Sequence, residues 1–323
     1  MKKLLISLLA AFTLTACASA SDPEIVESAD TAIVEEVETN DVPLNILAPM
    51  GAPALSMLKA ALNPMENVEF VNGADLLKAA FIAPDSEYDV IVAPSNLGAN
   101  LAATGNTEYR MAGIVTWGNL YLIGNDEDVL SNPNAELALF GEGSVVELVY
   151  NDVLKEEVKA NTTMYGSVQD VQAALLSGDA DAGLIAEPAA SATIDQANQA
   201  GIELTFVADL QELWKTKYDQ EGYPQAAIFI KPSTIENNEE KITEFLTQVE
   251  SSLNSYQDAD STILASDLDK VGVENLGVPS ADLISKVWPK MNLRYISAND
   301  SVEELNSFMS LFGIEDSNTY TIQ

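Results

Sequence analysis

A chain with no histidine and one cysteine has little nucleophile or metal chemistry open to it. Its chemistry must come largely from backbone groups, and several stretches are built to supply them. Residues 88–102 read YDVIVAPSNLGANLA and open with Val90, Ile91 and Val92, the apolar run of a strand buried on both faces. Pro94 stops that strand, and Ser95 and Asn96 supply N-cap chemistry for a helix that begins near Leu97. A strand running into a helix start aims several N–H groups at one spot, where a small polar or anionic ligand can be held.

The same device recurs. Residues 44–48 read as a strand that breaks at Pro49, Met50, Gly51, Ala52 and Pro53 before a helix over 54–62. Gly51 permits close backbone approach, and Pro53 suits a first helical turn. Residues 136–140 read as a strand feeding Gly141, Glu142, Gly143 and Ser144, with a helix from Val145. Residues 183–185 are a strand that meets Glu187, Pro188 and Ala189. Asp75 opens a helix nineteen residues before Pro94, and Asp170 opens one eighteen residues before Pro188, so two α/β units each hold a Gly-rich corner and a later Pro corner. Asp179 and Asp181 are a carboxylate pair placed at a turn, where solvation accounts for them.

The elements that must position these corners follow in β-α-β-α-β-α order, which argues for parallel sheets with helices on their faces. Residues 111–123 form a long β-rich run broken at Gly118 and Asn119, a strand leaving one lobe and entering the next. A second such run, 226–230, follows Gly222, Tyr223 and Pro224. The crossings divide the body into a first lobe of residues 42–115 plus 229–323 and a second lobe of 116–228. The C-terminal part reads as helices over 238–257, 263–270, 280–291 and 302–312.

Fifty acids against fifteen bases give a net charge of −35. Nucleic acid and anionic lipid both demand a basic footprint, so neither is an expected partner. Lys2 and Lys3 precede a short apolar stretch over 4–14, an export signal too short to span a bilayer. Leu14, Thr15, Ala16 and Cys17 then resemble the lipobox of bacterial lipoproteins, with the sole Cys as the lipidated first residue of the mature chain. Residues 18–41 carry eight acids and no base, and such a segment reads as a disordered tether. The expected place is therefore outside the cell membrane, anchored by lipid alone, as on a Gram-positive-type surface.

The combination resembles an extracytoplasmic solute-binding protein of an ABC importer, nearest to the nitrate/sulfonate/taurine and thiamine-precursor binding group. The residues that carry the resemblance are Gly51, Ala52 and Pro53 after strand one, Asp89 with Pro94, Ser95 and Asn96, the 141–144 turn, and 176–181 leading to Glu187, Pro188 and Ala189. It implies a two-lobe α/β fold of the type II periplasmic-binding-protein kind, a monomer, no cofactor or metal, and an ABC permease and ATPase as partners. The ligand-binding candidates are then Gly51, Ala52, Pro53, Ser95, Asn96, Trp117, Asn119, Gly143, Ser144, Glu187 and Tyr223. Arg110 and Arg294 are the only arginines and lie outside the corners, so no bidentate anion clamp is evident. Trp117, Tyr121, Tyr165, Trp214 and Tyr223 offer flat surfaces for a heteroaromatic ring, which favours a neutral or amino-bearing heterocycle over a simple oxyanion. Two alternatives stand beside transport: an enzyme of the menaquinone-pathway type on the same fold, which would be cytoplasmic, and a surface adhesin lipoprotein without a ligand-sized cleft.

Overall fold

Short apolar runs bracketed by Gly or Pro become the strands of this protein, seen in a computed structural model that describes residues 42–258 and 261–322. The export signal, Cys17 and the acidic tether lie outside the described residues. The chain runs β1 (Asn45–Pro49), α1 (Ala52–Leu55), α2 (Leu58–Leu62), β2 (Asn67–Val71), α3 (Ala74–Ile82), β3 (Val90–Pro94) and α4 (Ser95–Ala103). β4 (Arg110–Thr116) leads into β5 (Leu120–Gly124), and the pattern repeats as β6 (Glu136–Phe140), α5 (Val145–Val153), β7 (Asn161–Tyr165), α6 (Val168–Ser177), β8 (Ala182–Ala186) and α7 (Ala189–Ala200). β9 (Thr205–Asp209) and α8 (Leu210–Tyr218) precede the return strand β10 (Ala226–Ile230). There follow α9 (Pro232–Asn237), α10 (Glu239–Asp258), α11 (Ser261–Val271), α12 (Val273–Leu276) and α13 (Ala281–Val287), then a 3-10 turn (Trp288–Met291), β11 (Leu293–Ser297) and α14 (Val302–Ser310).

Two sheets result. The first has the order β11-β4-β10-β3-β1-β2 and the second β7-β6-β8-β5-β9. Both are mixed. The β2-β1-β3 and β7-β6-β8 halves are parallel, as crossover helices require, while β10 pairs antiparallel with β3 and β5 antiparallel with β8. The strands that cross between lobes therefore supply the antiparallel halves. The duplicated unit is visible in the pairing: β1 joins β3 through Ile46–Val90 and Leu47–Ile91, and β6 joins β8 through Leu137–Ala182 and Ala138–Gly183. Central strands such as β10, AAIFI, are buried along their whole length, whereas edge strand β7, NTTMY, is exposed almost throughout. Thr116 still belongs to the first sheet and Ala226 already does.

Three apolar layers hold these sheets. One packs the outer face of the first sheet against α10, α11 and α13, and another packs the second sheet against α6 and α7. The third is shared. It runs from Leu47, Ile91 and Phe229 of the first sheet to Leu122, Leu139 and Leu184 of the second, through Trp117, Trp214 and Tyr223. The lobes are thus joined by continuous core as well as by chain.

One buried charge organises the first lobe's helical flank. Asp267 on α11 is 4% exposed and accepts from Lys59 Nζ of α2 at 2.6 Å, Tyr256 Oη of α10 at 2.9 Å and Lys270 Nζ at 3.2 Å. Burial pushes its carboxyl up, but the hydrogen bonds from Lys59, Tyr256 and Lys270 outweigh that and hold it below the ordinary value. A depressed carboxyl contributes stability above its unfolded value, and that contribution is lost as pH falls through the folded value. Asp267→Asn should cost about 2 kcal/mol in urea unfolding at pH 7, and the difference from wild type should shrink below about pH 4. An unchanged midpoint at pH 7 would show that the three donors serve no structural end.

Candidate functional site

The pairing registers decide where the corners lie. β3 ends at Pro94, which pairs with Ala226 at the start of β10, and Ala226 pairs in turn with Thr116 at the end of β4. The β1, β3 and β4 ends therefore share one edge of the first sheet. In the second sheet Leu120, the first residue of β5, pairs with Ala186, the last of β8, and β6 runs parallel to β8. Trp117, Gly118 and Asn119 span directly from the corner edge of one sheet to the corner edge of the other. Three residues reach at most about 10 Å, so the two sets of strand-to-helix corners must border one hinge.

Each corner is built differently. Gly51 takes a φ of 95° and its N–H donates to Leu276 O at 2.8 Å, tying the first corner to α12. Ala52 behind it is buried and Pro53 sits in the first turn of α1. At the second corner Ser95 was expected to cap α4, but Pro94 occupies the cap position and Ser95 is the first helical residue. The Ser95 side chain is fully buried; its hydroxyl donates to Pro224 O, and its N–H donates to Gln225 O at 3.1 Å. Asn96 beside it is half-buried and makes no intramolecular side-chain hydrogen bond among the described residues. At the third corner Ser144 caps α5 by accepting from Val146 N at 3.2 Å, and Glu147 reaches back to accept from Gly143 N at 2.7 Å. Gly143 is exposed.

The fourth corner carries a buried acid. Glu187 is 1% exposed, and its carboxylate accepts from Ser191 N at 3.1 Å and Ser191 Oγ at 2.6 Å, closing the first turn of α7. Burial pushes this carboxyl above the ordinary range, against the pull of the Ser191 bonds and of the Lys290 charge.

Side-chain amides link the second corner to the fourth across the hinge. Gln225 Nε2 donates to Asn119 Oδ1 at 2.8 Å, and Asn119 N donates back to Gln225 Oε1 at 3.2 Å. Asn119 Nδ2 donates to Glu187 O at 2.8 Å, while Glu187 N donates to Asn119 O at 2.9 Å. Ser95, Gln225, Asn119 and Glu187 thus form one hydrogen-bonded chain from lobe to lobe. Two further amides brace it. Gln211 accepts from Leu120 N and from Tyr223 Oη, and Asn292 exchanges bonds with the Trp117 backbone.

Trp117 and Tyr223, expected to face the cleft, lie inside the shared core instead. Trp117 is 2% exposed, donates from Nε1 to Arg294 O at 3.2 Å and stacks under the Arg294 guanidinium. Tyr223 stacks on Phe308 with centroids 5.6 Å apart and touches Trp214. Large rings are the cheapest filler for a hinge that must stay dry, and that use takes them from the surface. Gly222, at φ 139°, is required beside them, because a Cβ there would run into Trp117 O. Gln225, Gln211, Asn292 and Ser191 escaped sequence reasoning. Gln225 had a signal, since it stands at the second crossing where Asn119 stands at the first. A cavity of ≈ 470 Å³ lies at the opposite edge, among Asn45, Glu66, Asn67, Glu69, Glu87 and Tyr88. It lies at the strand starts, so no helix N-terminus points into it.

A carboxyl raised by burial destabilises the fold as pH climbs from its unfolded value through its folded one. Glu187→Gln removes the charge, keeps an oxygen to accept from Ser191 N and reverses the other bond, with Nε2 donating to Ser191 Oγ. Its Tm should exceed that of the wild type at pH 7 by about 2 °C and match it at pH 4. A lower Tm at pH 7 with a match at pH 4 would mean that the corner needs the charge.

No family model matches the sequence, and no curated protein matches it significantly. Solved structures do. A crystal structure of an ABC transporter protein from Parabacteroides distasonis superposes with a TM-score of 0.69 at 20% identity, covering 86% of this chain and 95% of that one. The periplasmic aliphatic sulphonate binding protein SsuA of Escherichia coli gives 0.63 at 15% identity, covering 87% and 92%. A Candida albicans gene product described as having the generic periplasmic binding protein fold gives 0.53 at 13% identity, covering 85% and 96%. The chain has the two-lobe periplasmic-binding-protein fold.

Proposed function

We propose that this protein is the solute-binding component of an ABC importer, taking a small polar or heteroaromatic metabolite between its lobes and presenting it to a permease and its ATPase. The observation that carries this reading is the hinge: three residues join the corner edge of one sheet to the corner edge of the other. The N–H groups of Ser95, Val146 and Ser191 are already bonded, so the remaining first-turn N–H groups of α4, α5 and α7 are the natural donors to a polar solute. Asn96, Gly143 and Ser144 are the side of the site nearest to solvent; Gly51, Ala52 and Pro53 form its first-lobe wall. Ser95, Asn119 and Glu187 hold the corners in place, with Trp117 and Tyr223 packed behind them.

The anchor belongs to the same proposal. Residues 1–16 are an export signal, Cys17 is the lipidated residue and 18–41 is the tether, with 42–115 plus 229–323 and 116–228 as the lobes. Among the described residues no helix is long and apolar enough to cross a membrane. The protein acts as a monomer outside the cell and catalyses nothing.

Asn96 provides the test, because its amide is free to meet a solute. A metabolite panel of amino-bearing heterocycles, sulfonates and simple anions is screened by thermal shift. At least one compound should raise Tm. Asn96→Ala should weaken that compound's binding about tenfold, the value of one lost hydrogen bond to a bound polar group, while Tm without ligand stays unchanged. A panel without any stabilising compound counts against solute binding, and an unchanged affinity makes the corner a mere connection.

A further inference from the structure

Lys290 sits at the end of the 3-10 turn that leads from α13 to β11, and α13 packs against α7 of the other lobe. Lys59, Lys215, Lys217, Lys241 and Lys270 pair with carboxylates, and Lys290 does not. Among the described residues no carboxylate is paired with it, and its Nζ lies 3.6 Å from the centroid of the Phe206 ring on the second lobe. That is a close, face-on cation–π contact.

The receiving surface is rigid and belongs wholly to the second lobe. Phe206 on β9 and Tyr121 on β5 stand on adjacent paired strands, their rings edge to face at 5.2 Å. Tyr121 is 7% exposed, and its hydroxyl donates to Lys290 O at 3.0 Å, which fixes the turn above the rings. The cation itself is the loose part: Lys290 is exposed and rides on a four-carbon stem. An aromatic face held by a neighbouring ring, met by a tethered and replaceable ammonium, is the layout of a receptor carrying its own ligand.

We propose that the Phe206 ring, buttressed by Tyr121, forms an ammonium-binding site, filled here by the chain's own Lys290 and contested by a solute with a free ammonium group. The second half rests on the solute-binding reading above; the first half does not. Lys290 then serves as a lobe-to-lobe clasp that the solute replaces, so that binding and release of the clasp are one event.

The probe is n-butylammonium, with n-butanol as its neutral isostere, titrated calorimetrically into wild type, Lys290→Ala and Lys290→Ala/Phe206→Leu. Removal of the tethered competitor should tighten butylammonium binding about tenfold, and loss of the ring should return it to the wild-type level or below. Butanol should give no heat with any of them. Equal affinity in all three proteins, or butanol binding as well as the cation, would overturn the site. Lys290 is exposed and Phe206 half-buried, and unchanged circular dichroism confirms that the variants fold. If butylammonium binds as stated while no amine-bearing metabolite of the panel does, the ammonium site stands and the solute claim falls.

Discussion

The pair of bonds that the Gln225 side chain makes with Asn119, one to its side chain and one to its backbone, is the constraint on which the arrangement depends. Two chain crossings run side by side between lobes, and neither can pair as a regular ladder at the bend, so their backbone groups need other partners. Gln225 Oε1 accepts from the Asn119 N–H, the Gln225 backbone bonds to Thr116 O and to the Ser95 N–H, and Asn119 passes the connection on to the Glu187 backbone at 2.8 and 2.9 Å. Asn119 is 1% exposed, so each bond is made where water cannot replace it, and losing one partner leaves a buried polar group at a cost of about 1–3 kcal/mol. The orientation of both Pro corners follows from that short chain of amides.

Around it the apolar packing divides the work. The shared core through Trp117, Trp214 and Tyr223 keeps the lobes attached along their back, and polar bonds line the side nearer the opening. The chain offers little positive charge there: Arg294 is spent on Trp117 and on bonds to Asn292 and the Glu221 carbonyl, and Lys290 faces Phe206.

Much of the fold was legible because its signals are local. Val90 to Val92 between Asp89 and Pro94, and 136–140 before Gly141, are apolar runs with punctuation on both sides, and both are strands. The duplicated unit was legible from the spacing of Asp75 to Pro94 and of Asp170 to Pro188. The C-terminal part was read as helices, and β11 was missed because LRYIS is a short run interrupted by Arg294 and set between two helical stretches, not an unbroken apolar run. β7 was missed for a different reason: its exposed NTTMY has no apolar face to mark it. The corners were legible as corners, but their side chains were not legible as partners. Ser95 looked like a cap, and only the nearness of Pro224, more than a hundred residues away, turns its hydroxyl elsewhere. Trp117 and Tyr223 looked available to a ligand because sequence does not show which aromatics a hinge will bury.

The central claim is that one site draws on both lobes, and amide hydrogen exchange with and without the solute that stabilises the protein tests it most directly. Exchange should slow together at residues 96–98 in the first turn of α4 and at 189–191 in the first turn of α7, with the hinge residues 117–119 and 225 following. Protection confined to the helix starts of one lobe would contradict the account.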